Sequence, residues 1–96
     1  MNYTENDFVD KGEVDEDGNY DYIYEYTLYY FTIDNICYVF RSYKDNYREV
    51  IFLRKEVDGK ILNLNDGEIN SDNFKSIIKF LKEKKNKITV NLILAN

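Results

Sequence analysis

YDYIYEYTLYYFTIDNICYVFRSYKDNYREVIFLRKEVDGKILNL, residues 20–64, is a chain of alternating residues cut by short turn signals. Side chains on a strand alternate between its two faces, so Tyr20, Tyr22, Tyr24, Tyr26, Leu28 and Tyr30 share one face of a long first strand. The opposite face begins polar, with Asp21, Glu25 and Thr27, and turns apolar at Tyr29, Phe31 and Ile33. Asp34-Asn35 makes a two-residue turn. A second strand, Ile36 to Lys44, sets Ile36, Tyr38 and Phe40 against Cys37, Val39, Arg41 and Tyr43. Asp45-Asn46 turns again. A third strand, Arg48 to Val57, is apolar on both faces at Val50-Ile51-Phe52-Leu53, which places it centrally. Asp58-Gly59 is a strong type I′ hairpin signal, and Lys60 to Leu64 pairs back as a fourth strand. Each link is too short for a crossover, so these strands form an antiparallel meander.

Downstream, Asn65-Asp66-Gly67 ends the sheet pattern, and Asn70 or Ser71 caps a helix of about 14 residues. Phe74, Ile77, Ile78 and Leu81 recur at helical spacing, and Phe80 widens the stripe. Lys75, Lys79 and Lys82 fall on the outer face. Lys84, Lys85 and Lys87 crowd the C-terminal end, where positive charge complements the helix dipole; these lysines read as a solvated face. Asn86 stops the helix. A last strand, Ile88 to Leu94, is apolar enough to lie inside the sheet. The expectation is a two-layer α+β domain: a mostly antiparallel five-stranded sheet with one helix, in the order β-β-β-β-α-β. Residues 20–96 form that domain. Residues 1–19 read as an acidic, flexible N-terminal arm of loop or disorder, ending in the turn-like Asp17-Gly18-Asn19.

The chain has 96 residues, 44% of them hydrophobic and 17% aromatic, with ten Tyr, no His, no Pro and one Cys. This composition excludes a disulfide framework, an ordinary Cys/His zinc site and a histidine-dependent catalytic centre. It shows no phosphate-binding or nucleophile-elbow motif, and the expectation is a protein that is not an enzyme and carries no cofactor. Cys37 sits in an apolar run and reads as a small packing residue. Asp45 and Glu49 flank a turn, where Arg41 and Arg48 are placed to pair with them. Residues 13–21 resemble half of an EF-hand loop, but position twelve is Tyr24 and the flanks are not helical, so an acidic turn is the better reading. No basic start precedes an apolar run at the N-terminus, and no stretch reaches the length of a membrane span. A cytoplasmic location and no membrane contact are expected.

Charge is unevenly distributed. Met1 to Tyr26 holds nine acids and one base, Lys11, giving −8, whereas the remaining chain is +3. A negative flank lined with tyrosines repels phosphate, so no direct nucleic-acid contact is expected despite the lysine-rich helix. The pattern points to a small acidic binding protein, an inhibitor of the immunity or phage anti-defence type. It would cover a basic, nucleic-acid-binding or catalytic surface of a protein partner. Glu13, Asp15, Glu16, Asp17, Asp21 and Glu25 would supply charge complementarity, and Tyr22, Tyr24 and Tyr26 the anchors. The alternative is a self-associating structural or adaptor domain. It would form a homodimer through the first strand, with the acidic arm as a solubility tail.

Overall fold

The computed structural model describes residues 1–92. Its sheet contains β1 (Asn2–Lys11), β2 (Ile23–Ile33), β3 (Ile36–Tyr43), β4 (Glu49–Val57), β5 (Lys60–Leu62) and β6 (Thr89–Leu92). Strands β1 to β5 lie side by side in sequence order and are antiparallel. β3 takes one side of β4. β5 and β6 share the other, β5 along residues 55–57 and β6 along residues 49–52, the latter parallel. The helix α2 (Asp72–Lys84) covers one face, preceded by a single turn, α1 (Asp66–Ile69). The expected α+β class, the meander and the single main helix are all present.

Local chemistry explains the turns. Asp34 and Asn35 have φ of 52° and 65°, and Asp58 and Gly59 have 52° and 77°. Both central residues of each hairpin are left-handed, as a type I′ turn requires. The Ser71 hydroxyl accepts from the Phe74 amide and starts α2. Asn86, at φ 58°, ends it, and the Lys87 amide returns to the Leu81 carbonyl.

The core lies between α2 and the covered sheet face. Phe74, Ile77 and Leu81 are fully buried against Tyr29, Phe31, Tyr38, Phe40, Val50 and Phe52. The Phe74 ring sits 5.8 Å from Tyr38, 6.0 Å from Phe40 and 5.9 Å from Phe52. Each such side chain contributes about 1.5–3 kcal/mol by leaving water.

Several expectations are corrected. Residues 2–11, expected to be coil, form β1 and pair with β2 from Asn2 opposite Thr32 to Lys11 opposite Ile23. Backbone pairing and Tyr3, which packs on Phe31 and Phe80 at 5.0 and 4.8 Å, hold β1 despite its polar composition. The expected first strand begins at Ile23 rather than Tyr20. It is flanked by β1 along its whole length and by β3 from Tyr26 to Ile33, and β1 forms the outer edge of the sheet. β6, expected inside the sheet, lies at its periphery: among the described residues it pairs with β4 alone. Its expected continuation to Leu94 falls outside the described residues. Arg41 and Arg48 do not pair with Asp45 or Glu49; their guanidinium groups lie over Tyr43 at 4.6 Å and over Tyr47 at 5.7 Å. Lys87, expected in a solvated face, is only 4% exposed.

Candidate functional site

β3 ends at Tyr43, opposite Tyr26. Beyond that point the sheet consists, among the described residues, of the two strands of the β1–β2 hairpin. Gly12 donates to the Tyr22 carbonyl at 2.9 Å, Asp21 donates to the Glu13 carbonyl at 3.0 Å, and Val14 bridges Tyr20. The turn closes where Asp15 donates to the Asn19 carbonyl at 2.7 Å, with Gly18 at φ +83°. From Tyr26 to Asp17 the hairpin projects up to about 30 Å, at 3.3 Å per residue. The long axis of the molecule is accordingly 51 Å, against 29 and 26 Å.

The tip carries Glu13, Asp15, Glu16, Asp17 and Asp21, all exposed. One Asp15 carboxylate oxygen accepts from the amides of Asp17 and Asn19, at 2.9 Å each, and so holds the turn. Among the described residues, no three acidic, Cys or His side chains converge on a metal-sized space. Glu25 lies lower on the hairpin and pairs with Lys44 at 3.3 Å. Both are well exposed, so the pair adds little stability.

Tyr22, Tyr24 and Tyr26 project from the face away from α2, since Tyr29 and Phe31 on the alternate face lie under the helix. Their rings form a continuous array with two residues from neighbouring strands. Phe8 stacks on Tyr26 at 5.6 Å, Tyr26 meets Tyr43 at 6.1 Å, Tyr43 meets Tyr24 at 5.8 Å, and Tyr24 meets Tyr22 at 5.1 Å. Tyr22 and Tyr24 are 43% and 51% exposed. Open clefts of about 330 and 310 Å³ flank the array, one lined by Tyr24 and Tyr43, the other by Phe8 and Tyr26.

Phe8, Asp10, Gly12 and Tyr43 also belong to this site, and the sequence pattern did not single them out. In the β1–β2 register Asp10 lies opposite Tyr24. A Cβ on Gly12 would lie 2.8 Å from Cδ1 and Cε1 of Tyr22, so that ring rests on the Gly12 backbone. The overlooked signal was the turn dipeptide Asp17-Gly18 between two extended segments, a hairpin mark rather than the end of an arm.

A second group of charges gathers at the root of the hairpin, on the helix side. Lys85 pairs with Glu5 at 3.2 Å. The Lys87 ammonium donates to Ser42 Oγ at 3.0 Å and to the Tyr47 carbonyl, and lies 5.0 Å from the Tyr29 ring centre. Burial pushes the Lys87 ammonium below its ordinary value, only partly offset by Glu5. Burial likewise raises the Tyr3 phenol, whose hydroxyl donates to Glu5, and the Tyr29 phenol, which also feels Glu5 and Asp7.

Comparison with protein-family models, with curated proteins and with solved structures gives no match to this chain. Among the described residues, no helix is long and apolar enough to cross a membrane.

Proposed function

We propose that this protein is a binding-only inhibitor of the immunity or phage anti-defence type, whose acidic, tyrosine-faced hairpin covers a basic surface of a protein partner. One observation carries this reading. Among the described residues, seven of the twelve exposed large apolar side chains lie on the hairpin: Phe8, Val9, Val14, Tyr20, Tyr22, Ile23 and Tyr24. Apolar surface concentrated on a projection, outside the core and among carboxylates, is surface kept for a partner. The rings supply area to bury, and the tip carboxylates take the places of phosphates in a groove built for nucleic acid or another anion.

The test is to isolate the partner from the native host and titrate it with this protein at 0.1 M and 0.5 M salt. Affinity falls by about tenfold or more at the higher salt, mostly through a slower association rate. Unchanged affinity overturns the charge part of the proposal.

A second reading, a self-associating adaptor, is favoured by the ten-residue strand β1, whose outer edge is paired with no other strand among the described residues. Glu5, Asp7 and Asp10 along β1 work against it by like-charge repulsion. A monomer by light scattering across a hundredfold concentration range removes it.

A further inference from the structure

We propose that the aromatic face of the hairpin is a stacking ladder for guanidinium groups, so that the surface it covers is rich in arginine rather than lysine. This rests on the reading above and adds the chemistry of the partner.

The chain shows both kinds of cation contact on this hairpin: the Lys11 ammonium lies 4.9 Å from the Tyr20 ring centre near the tip, and a guanidinium holds the inner rung. Arg41 lies over the Tyr43 ring, 4.6 Å from its centre, at the inner end of the array. Tyr43 in turn touches Tyr24 and Tyr26, so a guanidinium already occupies one rung. The next rungs outward, Tyr24 and Tyr22, are half-exposed, and among the described residues no cation of this chain lies over either ring. Tyr22 lies against Gly12, a position where any side chain would lift it. Asp10, opposite Tyr24, places a carboxylate beside the free rungs.

This combination selects for arginine. Guanidinium is planar and weakly hydrated, so it can stack on a ring while its edge donates two hydrogen bonds to a carboxylate. An ammonium is compact and strongly hydrated, and gains less from an aromatic face that stays partly in water. Nucleobases also stack on tyrosine, but their phosphates would meet Asp10, Asp21 and the tip acids, and they are disfavoured by charge.

The experiment titrates the full chain with an arginine decamer and a lysine decamer of equal charge by calorimetry. The arginine peptide binds about fivefold more tightly, because guanidinium gains more than ammonium from each of the two rings. In Tyr22→Leu/Tyr24→Leu, with circular dichroism confirming the fold, the two peptides bind within about twofold of each other. Tyr24→Phe retains the preference because it retains the ring face, and this variant stands in if the double variant perturbs the hairpin. Equal affinity of the two peptides for the unaltered protein overturns the ladder and leaves a purely Coulombic acidic hairpin. A preference that survives the double variant, or is lost in Tyr24→Phe, also overturns it. If neither peptide binds, the ladder and the charge reading fall together.

Discussion

Gly12 shows how one missing atom sets the ladder. An alanine methyl there would lie 2.8 Å from two carbons of the Tyr22 ring, far inside contact distance. The ring is half-exposed and can swing away, but the methyl also meets Asp21 Cβ at 3.1 Å, so Gly12→Ala costs about 1 kcal/mol of folding stability. It nonetheless separates Tyr22 from Tyr24, which is read as loss of the ring-to-ring nuclear Overhauser effect. Lys87 is the converse case, a residue that matters to the body. Its ammonium is buried, no carboxylate among the described residues bonds to it, and it donates to Ser42 and the Tyr47 carbonyl. Lys87→Met keeps the packed stem and removes the desolvated charge, so at neutral pH it is neutral or stabilising by up to about 1 kcal/mol. The folded-state value of Lys87 lies below its ordinary 10.5, so between those two values the unfolded chain holds more protons than the folded one. Stability from this group therefore rises with pH through that window. The gap between Lys87→Met and the unaltered protein closes as pH approaches 10.5, and urea midpoints at pH 7, 8, 9 and 10 measure it. A gap constant with pH would mean that Lys87 keeps its ordinary value when folded.

α1 is a single turn, too short to persist by itself, and Glu68 is what fixes it. The Glu68 carboxylate accepts from the Asn65 amide at 3.2 Å while its own amide donates to the Asn65 side chain at 2.9 Å, a complete capping box. The same carboxylate takes Lys55 of β4 at 2.6 Å, both partners being less than one-fifth exposed. Glu68→Ala removes the cap and strands the Lys55 ammonium against the core. It lowers stability by about 2–4 kcal/mol in chemical denaturation, whereas Glu83→Ala on the outer face of α2 changes it by less than about 0.5 kcal/mol. Elements differ in the same way in how plainly the sequence declares them. α2 was legible because Phe74, Ile77, Ile78 and Leu81 repeat at helical spacing and Ser71 supplies a cap. β2, β3 and β4 were legible because one face of each is buried and Asp34-Asn35 and Asp58-Gly59 fix their turns. β1 was not, because both of its faces are polar: Thr4, Asn6 and Asp10 on one side, Glu5 and Asp7 on the other. Such a strand is specified by its neighbour's backbone and by scattered contacts, Tyr3 on Phe31 and Phe80, Phe8 on Tyr26, Thr27 with Asp7 and Lys85 with Glu5, which leave no period in the sequence. Missing β1 also hid Phe8, Asp10 and Gly12, and with them half of the candidate site. The acids and tyrosines of the other half were legible because charge asymmetry survives without knowledge of the fold.

At the scale of the whole molecule the buried body and the projecting hairpin separate cleanly at one place. The buried residues lie on β2 to β4, α2 and the segments beside them, while every residue from Glu13 to Asp21 is exposed. Gly12 and Tyr22 face each other across a backbone hydrogen bond, so a two-residue Asn-Gly turn can join them in place of residues 13–21. That replacement removes five carboxylates, takes the formal charge from −5 to zero, and deletes no core contact. The excised protein therefore unfolds within a few degrees of the parent, about what a change below 1 kcal/mol produces in a domain of this size. Phe8, Tyr22, Tyr24, Tyr26 and Tyr43 all remain, so on the proposed reading their rings still bury against a partner while long-range attraction is lost. Association with the partner slows by about tenfold or more while dissociation changes much less, since distant charges steer encounter and close contacts set residence. Stopped-flow association and surface-plasmon dissociation measure the two rates separately. A faster dissociation with an unaltered association rate would reverse the assignment: the tip would be a contact surface, and the tyrosine face would not be what holds the partner.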